Sequence, residues 1–315
     1  QKEREQLGAI ARICANIGLF TVVAGIVPAT KALEELLGSD KMAYFAFSVI
    51  VVALLWIGQS ITLLGVKEPR YAFKEEPHTK LKDMVNVIFK NDQLLYTAIS
   101  MALFMIGYVT TTSFGLYFFK YVYKDESMYS VFALVLGVSQ IIALLVFPLF
   151  SRFFNRKQLY TGATILVVAG YIIFFFAPMD MLYIGIAGIL LFIGQAFIQL
   201  LMLMFLTDTI EYGQWKLGKR NNSITLSLQP FINKMGGAIG TGIVGATVII
   251  SGINEAADNP ELVTDEGLLI MKIAMMVIPL ILILIGFLVY LFKYKIDKSL
   301  YEKILAELKK RGDIK

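Results

Sequence analysis

Eight long apolar segments dominate this sequence, and they restrict the fold more than any other feature. Each has roughly the length of a helix of about 20 residues, which a bilayer core of about 30 Å requires. Hydrophobic residues make up 57% of the chain and charged residues only 17%, whereas soluble domains carry about 25% charged residues. The pattern predicts an all-α polytopic membrane protein with eight transmembrane helices, at 10–30, 42–65, 94–119, 129–151, 159–178, 181–206, 223–252 and 267–292.

The Lys and Arg residues alternate between loops, and this alternation predicts the orientation in the membrane. Most of the 29 basic residues fall at the start of the chain, in every second loop and in the C-terminal tail. The intervening loops hold few, and the loop 253–266 is acidic without any Lys or Arg. Because cytoplasmic loops are enriched in basic residues, we expect a multi-pass protein of the cytoplasmic membrane with both termini of this chain in the cytoplasm.

One cysteine and one histidine limit the chemistry that the chain can perform. With only Cys14 and His78, no disulfide framework and no His/Cys zinc cluster can form within it. His78 lies in a charged stretch that predicts a solvated loop, which disfavours a catalytic triad. No glycine-rich phosphate-binding motif supports an ATP-driven pump, and the net charge of +5 is modest for a nucleic-acid binder. We therefore expect no enzyme, no metal, no organic cofactor and no nucleic-acid partner.

The longest polar interval, 66–92, leaves two predicted helices before it and six after it. We interpret it as a cytoplasmic linker between two bundles, and its second half has the spacing of an amphipathic helix. The predicted organisation is the last two helices of an N-terminal bundle (1–65), this linker, a six-helix C-terminal bundle (93–293) and a cytoplasmic tail (294–315). Two helices are few for a bundle, so we expect that an N-terminal portion is missing.

Lys234 is the most unusual residue within a predicted membrane helix. A cation deep in a bilayer costs about 2.5–3.5 kcal/mol and usually faces a partner or a wet cavity. We interpret Lys234 as a charge of a transport pathway, next to a cation site. The alternative is a lysine that snorkels to the interface or pairs only for structure. Pro230 is expected to loosen the same helix, and Gly236 with Gly240 to permit close helix packing.

Carboxamides and hydroxyls inside the predicted helices suit the hydroxyl groups of a sugar better than the charge of an ion. Taken singly, each is as well suited to a hydrogen bond between two helices. The sugar-binding candidates are Gln229, Gln199, Gln195, Tyr108 and Thr110.

A charged run follows the sixth predicted helix, at the inner edge of the membrane. Its acids and bases are compatible with an ion-pair gate and equally with a solvated loop. The cytoplasmic gate candidates are Asp208, Glu211, Tyr212, Lys216 and Arg220.

This charged run also carries a resemblance to a known family. Residues 208–220, Asp-Thr-Ile-Glu-Tyr-Gly-Gln-Trp-Lys-Leu-Gly-Lys-Arg, followed by Ser-Ile-Thr-Leu-Ser-Leu-Gln at 223–229 and Lys-Met-Gly-Gly at 234–237, resemble the glycoside–pentoside–hexuronide:cation symporters of the major facilitator superfamily. The details look closest to the lactose/raffinose permeases of Gram-positive bacteria.

The resemblance implies a fold of twelve helices in two bundles, of which this chain would contain helices five to twelve. It implies that Lys234 is the helix-eleven lysine near the acids of a cation site on helices one to four, and that Gln229 approaches the sugar. The coupling ion is expected to be H⁺ or Na⁺. Some members of the Gram-positive branch carry a phosphotransfer regulatory domain, so a regulatory phosphotransfer protein or domain is a candidate partner.

These features predict a secondary active transporter for the symport of a cation with a galactoside such as lactose, raffinose or melibiose. Transport would proceed by alternating access, with the lipid bilayer and a small-molecule sugar as partners. One alternative is a symporter of a pentoside or a hexuronide, whose carboxylate Lys234 would bind. Another is a sensor or scaffold with the same fold that does not transport.

Overall fold

The computed structural model describes the backbone of residues 2–65, 81–256 and 260–313, and the side chains of Ile10 and of residues 13–65, 85–256 and 260–313. Within these ranges the regular structure is helical, without a β-strand. His78 lies outside the described residues. The α-helices are α1 (Lys2–Leu37), α2 (Asp40–Gly65), α3 (Leu81–Lys90), α4 (Asp92–Ser113), α5 (Gly115–Tyr117), α6 (Met128–Phe153), α7 (Arg156–Phe176), α8 (Met181–Leu217), α9 (Asn222–Ile250), α10 (Asp265–Lys272), α11 (Ile278–Lys293) and α12 (Lys298–Lys310).

Seven segments of the described chain are long and apolar enough to cross a membrane, by length and composition. Two are composite: α4 and α5 continue into a π-helical turn at Phe118–Val122, and α10 and α11 flank another at Ile273–Val277. The seven are Ile13–Leu37, Asp40–Gly65, Asp92–Val122, Met128–Phe153, Arg156–Phe176, Met181–Leu217 and Asp265–Lys293. The prediction of an all-α polytopic membrane fold is confirmed.

The eighth predicted segment, 223–252, forms α9 but is not among these seven. Its 29 residues would extend about 43 Å at the rise of an α-helix, so length is not what it lacks. Its composition differs because it contains Gln229, Asn233 and Lys234 together with many glycines. We expected eight apolar membrane helices. The described chain has seven, and the eighth segment is a long helix of mixed polarity.

Local sequence signals explain where several helices begin and end. Asn155 accepts a hydrogen bond from the backbone of Gln158, whose side chain in turn accepts one from the backbone of Asn155, which is a capping box at the start of α7. Asp180 caps α8, whose end is at Gly218 in the left-handed conformation (φ 70°). Because of these caps, the loop between α6 and α7 and the loop between α7 and α8 need only a few residues.

α9 packs closely on α4 because two of its residues lack a side chain. A Cβ at Gly236 would lie 2.8 Å from Cβ of Met105, and one at Gly240 would lie 3.0 Å from Cβ of Val109. Nothing larger than hydrogen fits there without displacing α4. The helix continues through Pro230 without interruption, although proline removes one backbone hydrogen bond.

The segments before and after the six-helix bundle differ in how they pack. α1 packs on α6 and on α2, whereas the side chains of α2 are largely exposed within the described chain. The tail helix α12 buries Ile304 and Leu308 completely, in a small cluster that includes Tyr212 of α8. The apolar face of α12 is thus covered by protein, while its basic residues are exposed.

Candidate functional site

Lys234 lies on the face of α9 that points away from α4. Side chains two positions apart on an α-helix point about 200° apart, so the contact of Gly236 with α4 turns Lys234 to the opposite side. The side chain of Lys234 is accordingly exposed. Among the described residues, none of the ion pairs includes Lys234. The acid partner that the resemblance implies for Lys234 therefore stays a prediction about residues beyond this part of the chain.

A small cavity lies between α4, α8 and α9. It has a volume of about 80 Å³ and is lined by Met101, Phe104, Met105, Gln199, Met202 and Asn233. Binding sites for small molecules usually measure about 300–1,000 Å³. This cavity is too small for a disaccharide, but it is a recess that can accept one polar group of a larger ligand.

Asn233 provides the feature of this cavity that the sequence reasoning missed. Its carboxamide oxygen is buried and has no hydrogen-bond partner among the described residues. Burying a polar atom without a partner is costly, so the oxygen is available to a donor that enters the cavity. A carboxamide directly before the lysine of this helix was the signal that could have identified Asn233.

The other sugar-binding candidates occupy different environments. Gln199 lines the cavity, and Gln229 is half-buried on α9. The ring of Tyr108 is partly buried and stacks on Phe104, with the ring centroids 6.2 Å apart. Thr110 is fully buried, and its hydroxyl donates to the carbonyl of Ile106 in its own helix at 2.7 Å. A role for these residues in sugar binding stays a prediction.

Gln195 belongs to a buried chain of hydrogen bonds that joins four helical segments. Its amide nitrogen donates to the hydroxyl of Tyr171 at 3.4 Å, and that hydroxyl lies 2.6 Å from the hydroxyl of Thr111. Thr111 donates to the carbonyl of Met275, in the second π-helical turn, at 3.0 Å. In this conformation Gln195 is fully buried. Its amide forms a hydrogen bond between two helices, which is the alternative role that we considered for such carboxamides.

Two of the gate candidates of α8, Tyr212 and Lys216, contact the first turn of α4. The ammonium of Lys216 lies 2.5 Å from a carboxylate oxygen of Asp92, and the hydroxyl of Tyr212 donates to the same oxygen at 2.9 Å. Gln93 donates to the second oxygen of Asp92 at 2.8 Å. Asp92 is thus the shared acceptor of this group, a role that its position in the sequence did not reveal.

Two further ion pairs surround the same end of α8. Arg156, the first residue of α7, pairs with Asp208, whose side chain is only 9% exposed. Tyr294 also donates to Asp208, at 3.4 Å. Arg220 pairs with Glu211 at 3.2 Å. The run 208–220 is therefore an ordered network between helices and not only a solvated loop.

Tyr294 remains a hydrogen-bond donor at any physiological pH. Burial raises the pKa of its hydroxyl well above the ordinary value, and the negative charge of Asp208 raises it further. Because both effects disfavour the phenolate, the proton stays on Tyr294. Tyr294 is therefore the donor and Asp208 the acceptor of this hydrogen bond throughout the physiological pH range.

The tail helix α12 is anchored to this network by polar contacts. The indole nitrogen of Trp215 donates to the carboxylate of Glu307 at 2.5 Å. Arg311 donates to the carbonyl of Trp215 at 3.1 Å. The tail helix therefore contacts and stabilises the end of α8 at Trp215, one residue before Lys216.

The fold and these buried polar groups define a polytopic membrane protein with a polar recess between apolar helices. Comparison with known sequences gives the family: the chain belongs to the MFS/sugar transport protein family, whose model matches residues 1–298. The members of this family are sugar transporters, a class of protein distinct from enzymes.

Several characterised proteins are similar to the chain over nearly its whole length. It is 29% identical to the raffinose carrier protein of Pediococcus pentosaceus over 98% of this chain and 49% of the relative. It is 30% identical to a lactose permease of Lactobacillus delbrueckii subsp. bulgaricus, with the same two coverages. A putative sulfoquinovose importer of Escherichia coli is 23% identical over 98% of this chain and 65% of its own length.

The chain spans about half the length of the first two of these relatives. The prediction from residues 208–237 of a sugar-transporter family is confirmed, and the chain is similar to Gram-positive raffinose and lactose carriers.

Proposed function

We propose that the chain forms part of a secondary active transporter that carries a galactoside together with H⁺ or Na⁺. The observation that carries the proposal is the recess lined by Gln199 and Asn233, in which the carboxamide oxygen of Asn233 has no hydrogen-bond partner among the described residues. A sugar offers hydroxyl groups as donors to that oxygen. The similarity to a raffinose carrier and to lactose permeases supports a galactoside as the sugar.

In this proposal the protein works by alternating access across the cytoplasmic membrane. The predicted division into 1–65, the linker 66–92, the bundle 93–293 and the tail 294–315 supplies the moving parts. Two bundles would rock about a central sugar site, and Lys234, Gln229 and Gln199 would face that site. Both termini of this chain would lie in the cytoplasm, because the basic residues concentrate in those loops.

The network at the end of α8 would hold the cytoplasmic side in one conformation. The interactions of Asp208, Glu211 and Lys216 are ion pairs that can break and reform. A regulatory phosphotransfer protein or domain that contacted the tail helix would act on the same network through Trp215 and Glu307.

A symporter of an anionic sugar is the second candidate, and Lys234 favours it. An ammonium group that has no acid partner among the described residues can bind a carboxylate or another anionic group of a substrate. In the galactoside proposal, the negative charge that balances Lys234 comes instead from acids near the cation site.

Counterflow of labelled lactose into vesicles that hold the complete protein tests the proposal. Melibiose, raffinose, a xyloside and a glucuronide serve as unlabelled competitors. Exchange that galactosides block supports the galactoside proposal, and imposed Na⁺ or proton gradients then identify the coupling ion. Exchange of glucuronide alone supports the second candidate. Sugar binding without any exchange contradicts transport and supports a sensor.

A further inference from the structure

The contact between α1 and α6 joins the two parts of the chain on either side of the linker. The phenyl ring of Phe20 lies directly on the backbone of Gly137, where a Cβ would be 2.7 Å from Cγ of the ring. One turn earlier on α1, the amide of Asn16 donates to the carboxamide oxygen of Gln140 at 3.4 Å. The two helices are antiparallel along this seam, and Ile13 extends it by packing on the bundle core.

The amide pair of this seam is only half formed. Two carboxamides can exchange two hydrogen bonds, since each has an NH₂ donor and a carbonyl acceptor. Here one bond exists, and its 3.4 Å is longer than the 2.7–3.2 Å that is usual for an N–H···O hydrogen bond. The NH₂ group of Gln140 is buried and has no partner among the described residues, and the residue is only 1% exposed.

An incomplete buried pair is unusual at a position that is otherwise closely packed. Nearly all buried donors in proteins have a partner, so a donor without one indicates that its partner is supplied in another arrangement of the helices. The same amide pair contains a suitable acceptor, the carbonyl oxygen of Asn16, which a displacement of α1 along α6 would bring to the NH₂ group of Gln140. Gly137 permits such a displacement because the ring of Phe20 meets no side chain there.

We propose that Asn16 and Gln140 form a two-position amide contact that changes as α1 moves along α6. The structure has the position with one bond, and the second position has both. Gln140 is then a positioning residue that sets the balance between two conformations, and Phe20 on Gly137 keeps the helices at a constant distance. This inference rests on the proposed transport by alternating access, but it concerns the seam and not the sugar site.

Substitution of the pair tests the functional part of the inference. Gln140→Leu removes one hydrogen bond from the first position and two from the second, so the balance shifts by about one hydrogen bond and the exchange rate should fall about threefold to tenfold. The sugar dissociation constant should stay unchanged. The double variant Asn16→Gln with Gln140→Asn keeps an amide on each helix and should restore the rate. Gln59→Leu, at an exposed position of α2, is the matched control and should behave like the natural protein.

Spin labels test the motion without any sugar. In a Cys14→Ser background, labels at Leu19 and Leu145, which are 50% and 62% exposed, report the distance between α1 and α6 by pulsed electron resonance. Two distances are expected in the natural protein and one in Gln140→Leu.

The two experiments separate the failure of the inference from the failure of the proposed function. A single distance in the natural protein overturns the inference, whatever the transport result. So does a Gln140→Leu variant with an unchanged rate, or one whose stability and binding fall together without rescue by the exchanged pair. Two distances that depend on Gln140, in a protein that exchanges no sugar, support the inference and reject transport.

Discussion

Lys216, near the end of α8, places its ammonium nitrogen 2.5 Å from a carboxylate oxygen of Asp92, the first residue of α4. The pair connects two helices that are separated by more than a hundred residues of sequence. Tyr212 donates to the same oxygen, so one carboxylate fixes the end of α8 against α4 at two points.

Removal of the charges at Asp92 and Lys216 should show a modest interaction between them. The two side chains are 34% and 39% exposed, so solvent screens the pair, and a double-mutant cycle of Asp92→Asn and Lys216→Met should give about 0.5–1 kcal/mol. The measurement is thermal unfolding in detergent. The wider pair Glu307 and Arg311, with 3.8 Å between its charged atoms, should give less. An equal or greater value for that control pair would contradict the role assigned to Asp92.

Replacement of Lys234 by alanine should abolish uphill sugar accumulation. Loss of the ammonium removes the charge that would connect the cation site with the sugar site, so downhill exchange should persist better than accumulation. The control is Lys272→Ala, because Lys272 lies over the ring of Phe175, far along the sequence from the recess. Normal accumulation by Lys234→Ala would reject the assignment of Lys234 to the coupling pathway.

Asn233→Val should have opposite effects on stability and on sugar affinity. The substitution removes a buried oxygen that has no partner among the described residues, so the unfolding temperature should stay the same or rise. If a sugar hydroxyl donates to that oxygen, the Michaelis constant should increase about threefold to tenfold. Initial uptake rates and thermal unfolding measure the two effects. An unchanged Michaelis constant would remove Asn233 from the site.

Thr111→Val should destabilise the bundle by about 1–3 kcal/mol, because it removes the hydrogen bonds of the Thr111 hydroxyl with the hydroxyl of Tyr171 and with the carbonyl of Met275. Thr111→Ser keeps the hydroxyl and should retain most of the stability. The matched control is the neighbouring Thr110→Val, since the hydroxyl of Thr110 bonds, among the described residues, to the carbonyl of Ile106 in its own helix. Equal losses in unfolding temperature for Thr111→Val and Thr110→Val would show that the bond to the π-helical turn is unimportant.

The stability of the turn before α6 should depend on pH only under acidic conditions. The hydroxyl of Ser127 donates to Asp125 and lowers the pKa of that carboxyl below 3.8, with further lowering by backbone N–H groups and by the charge of Lys31. A lowered folded-state pKa contributes stability above the ordinary value, and this contribution is lost as the pH falls through the lowered value. Hydrogen exchange of the Ser127 amide should therefore be constant from neutral pH to about 4 after correction for the intrinsic rate, and accelerate below it.

Asp125→Asn should remove that acceleration, since an amide does not titrate in this range. Glu126→Gln, one residue further, serves as the control for loss of a negative charge and should leave the acid transition in place. An acceleration that persists in Asp125→Asn would assign the pH dependence to another group.

Much of the fold was predictable because hydropathy along a membrane helix is a local property. The apolar segments located each membrane helix, but the segments 10–30 and 181–206 end 7 and 11 residues before the helices Ile13–Leu37 and Met181–Leu217 do, and α9 is more polar than its predicted counterpart. The acids and bases at 208–220 were identified as a group for the same reason, since charges at the end of a long apolar run stand out in the sequence.

The partners of those residues could not be read from the sequence. Lys234 and Asn233 are neighbours in the chain, yet side chains about 100° apart on a helix meet different surroundings, so one is exposed and the other lines the recess. From the sequence, Gln195 and Gln199 were equivalent sugar-binding candidates. Helix packing distinguishes them because it buries Gln195 against Tyr171.

The sequence by itself determined that this protein is a helical membrane protein of a sugar-transporter family, because apolar length, the charges at helix ends and a specific run of residues are all local properties. Only the tertiary structure decided that Asp92 is the acceptor for Lys216 and Tyr212, that Asn233 lines the recess and that Asn16 meets Gln140. Each of these contacts depends on how distant helices pack together, and helix packing fixes the rotation of each helix about its axis.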